Sequence, residues 1–138
     1  AQQNYHTGVN GGGYFGWNTT NSAKGNYNSG SYSTANDPCY KVVPPNTWAT
    51  PTRAQLENLK NSGYVHSTNP EGGWFGGSQG VFLPAPGYRN EKDQMIQVGG
   101  DSDYWSTEPG VYLAFNRGLC GMYSYDRRGG LCIRCVKR

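Results

Sequence analysis

Aliphatic residues are scarce in this chain: Leu, Ile, Val and Phe together make up 20 of its 138 residues. A share under ~20% brings disorder into view. Disorder also asks for high net charge, and here the formal charge is only +3 with 15% charged residues. Long apolar runs are missing too. None approaches the roughly 18 residues of a membrane-crossing helix, so no membrane span is expected. No basic segment followed by an apolar stretch opens the chain, so any export signal is expected to have been removed or to lie outside it. The Lys and Arg residues are too few and too scattered for a nucleic-acid partner. Their one local concentration, Arg134, Lys137 and Arg138, reads as a solvated end.

Aromatic residues and glycine are abundant instead. Tyr 11, Trp 4 and Phe 4 supply the apolar mass, each ring able to bury roughly 150–250 Å². Gly 21 and Pro 8 exclude a helical bundle or coiled coil, and no Gly-X-Y period points to collagen. The expectation is a folded, loop-rich, polar-skinned chain forming one domain over residues 1–138.

Catalytic patterns are also absent. The two histidines, His6 and His66, sit in no nucleophile or metal motif. No GxSxG, HExxH, Walker loop or EF-hand spacing occurs. Asp101 and Asp103 flank Ser102 in what reads as a turn and could contribute to a calcium site, but calcium needs more ligands than two carboxylates. The chain is read as non-enzymatic, with no cofactor required.

Four cysteines, Cys39, Cys120, Cys132 and Cys135, allow three pairings that sequence alone does not separate. Cys132 and Cys135 form a CxxC, yet Leu131–Val136 is unbroken and β-prone. Residues three apart on a strand face opposite ways, which disfavours one shared metal. If geometry governs, Cys135 faces inward and seeks Cys39, while Cys132 seeks Cys120 on a neighbouring strand. Composition favours disulfides over free buried thiols, and those over a metal; disulfides imply an extracellular or cell-surface setting.

Residues 1–38 are irregular, and residues 18–37 read as a long surface loop, with Tyr14, Phe15 and Trp17 as core anchors. Thr52 and Gln55 form a T-x-x-Q capping box ahead of Leu56 and Leu59, and Gly63 marks the stop. A helix over residues 53–62 follows. From residue 80 the pattern turns β. Val111–Phe115, Met122–Tyr125 and Leu131–Val136 read as three successive antiparallel strands, with Val111, Leu113 and Phe115 buried and Tyr112 and Ala114 exposed. The fold class is α+β, with antiparallel strands, one or two short helices and long ordered loops. The final hairpin is dense in Asn, Arg, Tyr, Ser and Asp, the vocabulary of binding loops.

Several segments occur in a telling order: Tyr14-Phe-Gly-Trp-Asn18, Asp37-Pro-Cys39, Trp48-Ala-Thr-Pro-Thr-Arg-Ala-Gln-Leu56 and Phe82-Leu-Pro-Ala-Pro-Gly-Tyr-Arg89. Tyr104-Trp-Ser-Thr-Glu108, Tyr112-Leu-Ala-Phe115 and Ile133-Arg-Cys-Val136 follow. Across residues 12–138 the chain resembles the Fibrobacter succinogenes major paralogous domain, a family of exported proteins common in Bacteroidota. The resemblance implies a C-type-lectin-like fold, related to formylglycine-generating enzymes and to the variable proteins of diversity-generating retroelements. Those enzymes' paired active-site cysteines have no counterpart here, so their activity is not implied. Glu108-Pro109 is followed by Gly110 rather than the Asn of a sugar-binding lectin motif. In the retroelement proteins the exposed positions of the last hairpin bind ligand, which points to Asn116, Arg117, Tyr123, Ser124, Tyr125, Asp126 and Arg127. Cys120 and Cys132, atypical for the family, read as an extra local staple. Only about a dozen polar residues precede Tyr14, where the family carries a strand. The chain is then a processed fragment, or residues 1–11 form an arm and a neighbour supplies the strand. The expected function is recognition or adhesion through binding of a protein or glycan. The alternative is a structural subunit that self-associates through the arm into an extracellular filament or surface layer.

Overall fold

Thr52 starts the α-helix by a reciprocal cap. Its hydroxyl accepts the Gln55 backbone N–H at 3.1 Å, and the Gln55 side chain accepts the Thr52 N–H at 2.9 Å. Two N–H groups that a first helical turn leaves without partners are thereby satisfied. Helix α1 spans Arg53–Asn61. Gly63 follows at φ +108°, a left-handed position that suits glycine and ends the helix. Leu56 and Leu59, three apart and so on one face, are both buried.

The computed structural model describes residues 13–77 and 80–138. The expected arm at residues 1–11 lies outside them. The architecture is α+β, with α1 beside several small antiparallel sheets. Strand β1 (Trp48–Ala49) pairs with β10 (Val136–Lys137). Strands β2 (Tyr64–Ser67), β3 (Gly72–Phe75) and β4 (Val81–Pro84) form one three-stranded sheet. Strand β5 (Tyr88–Arg89) pairs with β6 (Met95–Ile96). Strands β7 (Ser102–Trp105), β8 (Val111–Phe115) and β9 (Cys120–Ser124) form the second three-stranded sheet, with β8 central.

Side chains leave β7 and β8 alternately toward two cores. On one face Tyr104, Leu113 and Phe115 join Leu56, Leu59, Phe75 and Leu83. On the other, Trp105 meets Trp17 and Leu131, with Tyr32, Tyr88, Tyr112 and Tyr125 packed against them. Aromatic bulk does the work that aliphatic residues do elsewhere. Phe75 meets Phe115 edge-on at 5.0 Å, and Tyr104 stacks on Phe115 at 6.1 Å. Strand β3 runs so close to this core that a Cβ at Gly73 would stand 2.5 Å from the Tyr64 ring and 2.9 Å from the Phe115 ring.

The N-terminal loop is tied down by indole donors. Trp17 Nε1 donates to the Ser106 carbonyl at 2.9 Å, and Trp105 Nε1 donates to the Phe15 carbonyl at 2.7 Å. Tyr14 donates from its hydroxyl to the Pro86 carbonyl at 2.7 Å. Beside it Asp37, wholly buried, gathers four donors. The Cys39 N–H and Thr50 N–H each lie at 2.9 Å, the Thr50 hydroxyl lies at 2.7 Å, and the Tyr32 hydroxyl completes the set.

Three expectations are corrected. Cys39 and Cys135 form a disulfide, but Cys120 and Cys132 are both free thiols. Cys132 bridges to Tyr104 on the outer side of β7, whereas Cys120 lies on β9. Three strand spacings, roughly 14 Å, separate them, well beyond the ~7 Å Cα limit for a disulfide. Burial pushes the Cys132 thiol up to about 12 and raises that of Cys120, so neither is a ready thiolate at neutral pH. Second, residues 131–136 do not continue the hairpin. Leu131 bridges Phe15, Cys132 bridges Tyr104, and only Val136–Lys137 regains strand pairing, against β1. Third, Ala114 is buried and Tyr112 half-buried, because the second aromatic core covers the face expected to meet solvent.

Two measurements check this arrangement. Non-reducing peptide mapping will give Cys39–Cys135 as a crosslink, with Cys132 alkylated only after denaturation and the half-buried Cys120 alkylated ahead of it. Asp37→Ala leaves four donors without their acceptor, and urea unfolding should show a loss of about 3 kcal/mol or more.

Candidate functional site

The seven hairpin residues singled out from sequence do not converge. Asn116 and Arg117 lie in the turn joining β8 to β9. The Asn116 Oδ1 accepts the Gly118 N–H at 2.8 Å and the Leu119 N–H at 3.0 Å, and its Nδ2 donates to Asp101 at 3.1 Å. It is a turn-maker. Ser124, Tyr125, Asp126 and Arg127 stand at the opposite end of β9, roughly 15 Å away by strand rise.

Two of these four are committed to the fold. Arg127 lies over the Trp17 ring at 5.1 Å and donates to the carbonyls of Asn28 and Gly30 at 3.1 and 3.0 Å. Its guanidinium pins the loop that crosses the domain. Asp126 pairs with Arg128 at 2.6 Å and accepts the Arg128 N–H at 2.9 Å, which stabilises its own turn. That leaves Tyr123 and Tyr125 on the Tyr112 side of the sheet, with Ser124 exposed on the opposite face.

Register shows what that surface is. Trp105, Tyr112 and Tyr123 form one cross-strand row, and Asp103, Ala114 and Gly121 form the next. Asp101 precedes Asp103 by two residues, so both carboxylates project on the same side while Ser102 points the other way. Tyr112 is the centre of a ring cluster, 6.1 Å from Trp105, 6.2 Å from Tyr123 and 6.4 Å from Tyr125. Tyr88 adds an edge contact to Tyr125 at 5.4 Å. The Tyr123 ring lies back over Gly121, where an added Cβ would approach it to 3.2 Å. Tyr123 itself is 46% exposed.

This face is negative. Burial raises the Tyr88 hydroxyl, and Asp103, Asp101 and Glu91 raise it further. Tyr112 is pushed up to about 12 by burial, then by Asp103, Asp101, Tyr88 and Tyr123. Burial also raises Tyr125, whose hydroxyl donates to Glu91 at 2.8 Å. Asp103 is only 2% exposed, and its Oδ2 has no hydrogen-bond partner among the described residues. Burial, followed by the hydrogen bond and charge of Asp101, lifts its carboxyl to about 8. Burial and the neighbouring Asp101 both favour its protonated form.

The sequence singles out Tyr123 and Tyr125 and places Asp101 and Asp103 in a turn and Tyr112 in solvent, whereas Asp103 lies on β7 and Tyr112 is half-buried. The i, i+2 spacing of Asp101, Asp103 and Trp105 was the signal that one strand face carries all three. Among the described residues no group of three or more His, Cys, Asp or Glu side chains is placed to hold a metal ion. His66 engages Glu71, across the turn joining β2 to β3. Comparison with models of known protein families, with curated proteins and with solved structures gives no match.

Asp103 carries a stability signature. Its folded-state value of about 8 stands above the ordinary 3.8, so unfolding between these pH values releases a proton. Stability should fall as pH rises through that window and level off above it. Urea unfolding of Asp103→Asn across pH 4–9 should show a flatter profile and higher stability than the native chain at pH 8.

Proposed function

We propose that the chain is a non-catalytic recognition domain of C-type-lectin-like fold, secreted or displayed at a cell surface, which binds a protein or glycan through the tyrosine face around Tyr123. The observation that carries this reading is the half-exposed Tyr123 on an edge strand, backed by the rings of Tyr112 and Tyr125. A ring held by neighbouring rings loses little freedom on binding, and its hydroxyl serves as donor or acceptor. The fold proposal draws on the motif order together with the antiparallel sheets, α1 and the long loops laid over them. The Cys39–Cys135 disulfide supports an oxidising compartment.

Arg117 provides the internal comparison, because it is exposed at the other end of the same hairpin. In pulldown from extracellular extracts and on glycan arrays, Tyr123→Ala should reduce ligand signal about tenfold or more, as hot-spot tyrosines do. Arg117→Ala should leave it within about twofold. The reverse order would move the site to the turn, and indifference to both would end the proposal.

A further inference from the structure

We propose that a surface hollow of about 410 Å³, lined by Thr34, Ala35, Tyr40, Lys41, Pro45 and Asn46, receives a single acidic sugar, a pyranose carrying one carboxylate. The hollow is separate from the tyrosine face, and the proposal goes beyond the recognition reading without depending on it.

The walls are built locally and held from behind. Thr34–Asn36 and Pro38–Lys41 form two consecutive 3₁₀ turns. Asp37 between them accepts the Cys39 N–H and both donors of Thr50, and the Cys39–Cys135 disulfide ties the second turn to the far end of the chain. The loop that follows returns to this turn, with the Asn46 N–H donating to the Tyr40 carbonyl at 3.2 Å. Asn46 adopts φ +65°, a left-handed conformation that asparagine tolerates better than most residues. Arg138 fixes the loop. Its Nη1 donates to the Asn46 carbonyl at 2.8 Å, and its backbone N–H donates to the Thr47 carbonyl at 2.9 Å. A hollow whose backbone is already fixed loses little freedom when it is filled.

The polar side chains around it, by contrast, serve no contact within the fold. Asn21, Asn28, Asn90 and Asn116 each hold a backbone N–H of their own turn. The Asn46 carboxamide holds none, and the Thr34 hydroxyl and Lys41 ammonium likewise have no hydrogen-bond or ion-pair partner among the described residues. Arg53, Arg89 and Arg128 each pair with a carboxylate; Lys41 does not.

Charge sets the sign of the ligand. None of the six lining residues is acidic, Lys41 brings a full positive charge, and the Arg138 guanidinium lies over the Tyr40 ring at 4.9 Å. The acid of this region, Asp37, is wholly buried with its oxygens taken by four donors. One lysine suits one carboxylate. A phosphate calls for forked arginine or a cradle of backbone N–H groups, and no arginine lines the hollow. Size and polarity set the rest. The volume sits near the low end of the roughly 300–1,000 Å³ of small-molecule pockets. A carboxamide and a hydroxyl offer both donors and acceptors to adjacent sugar hydroxyls, and Ala35, Tyr40 and Pro45 give apolar contact to ring C–H groups. An acidic peptide would engage the ammonium and leave the amide and hydroxyl unused.

The test is an NMR titration of the whole chain, following backbone amides, with methyl glucuronide, methyl glucoside and tetraglutamate. Methyl glucuronide should saturably shift the amides of residues 34, 35, 40, 41 and 46, with a Kd on the order of 1 mM. Lys41→Gln, which removes no contact of the fold, should weaken it about three- to fivefold, and the neutral glucoside should lose a similar factor. Lys92→Gln, exposed on the turn between β5 and β6, controls for overall charge and should leave the Kd unchanged, as should Tyr123→Ala. Absence of shifts at these amides, equal binding of glucuronide and glucoside, indifference to Lys41→Gln, or a preference for tetraglutamate overturns the proposal. If Tyr123→Ala abolishes glucuronide binding, the sugar sits on the tyrosine face and the hollow falls while the recognition reading stands.

Discussion

Strand β7 is four residues long, and all four are buried. That condition organises the C-terminal half of the molecule. A strand covered on both faces must satisfy its backbone on both edges, and β7 does so with β8 on one side and with single bridges to Gly87 and Cys132 on the other. Those bridges draw in residues 87 and 132 from distant parts of the chain. Tyr104 and Trp105 then anchor one core each. Because Trp105 also donates to Phe15 and Trp17 to Ser106, the loop-rich N-terminal segment is held by the same short strand. Few aliphatic residues are needed when two indoles and four tyrosines meet at one place.

Local chemistry was legible in the sequence, and long-range adjacency was not. Helix α1 could be read because its cap, its two leucines and its stopping glycine lie within a dozen residues. Strand β8 could be read because its alternation is internal to five. Strand β3 could not, because Gly72 and Gly73 look like a turn. The Tyr64 ring on the neighbouring strand and the Phe115 ring from a different sheet together explain why Gly73 must lack a side chain. The cysteines divide in the same way. Pairing of Cys39 with Cys135 was anticipated, but the fate of Cys120 and Cys132 depended on strand order, and β8 stands between their strands.

The candidate site repeats the lesson. Tyrosine-rich composition pointed to Tyr123 and Tyr125, yet Asn116, Asp126 and Arg127, drawn from the same vocabulary, serve the turn and the loop. Tyr88 joins the cluster only because residue 87 pairs beside β7, a contact no local pattern announces. Asp103 is a local cost set among well-packed rings. A folded chain that needed only stability would be better served by an apolar residue or an amide at that position.

The Cys39–Cys135 bond closes a covalent ring around nearly every strand and helix described, with β1 and β10 zipped beside it. Tension applied between the segment before Cys39 and the chain end after Cys135 therefore runs across sulfur and bypasses the enclosed residues. Pulling would act first on the contacts that hold residues 14–32 against the domain. The residues between the two cysteines would stay mechanically unloaded, while Trp17 and its contacts in the second core would take the strain.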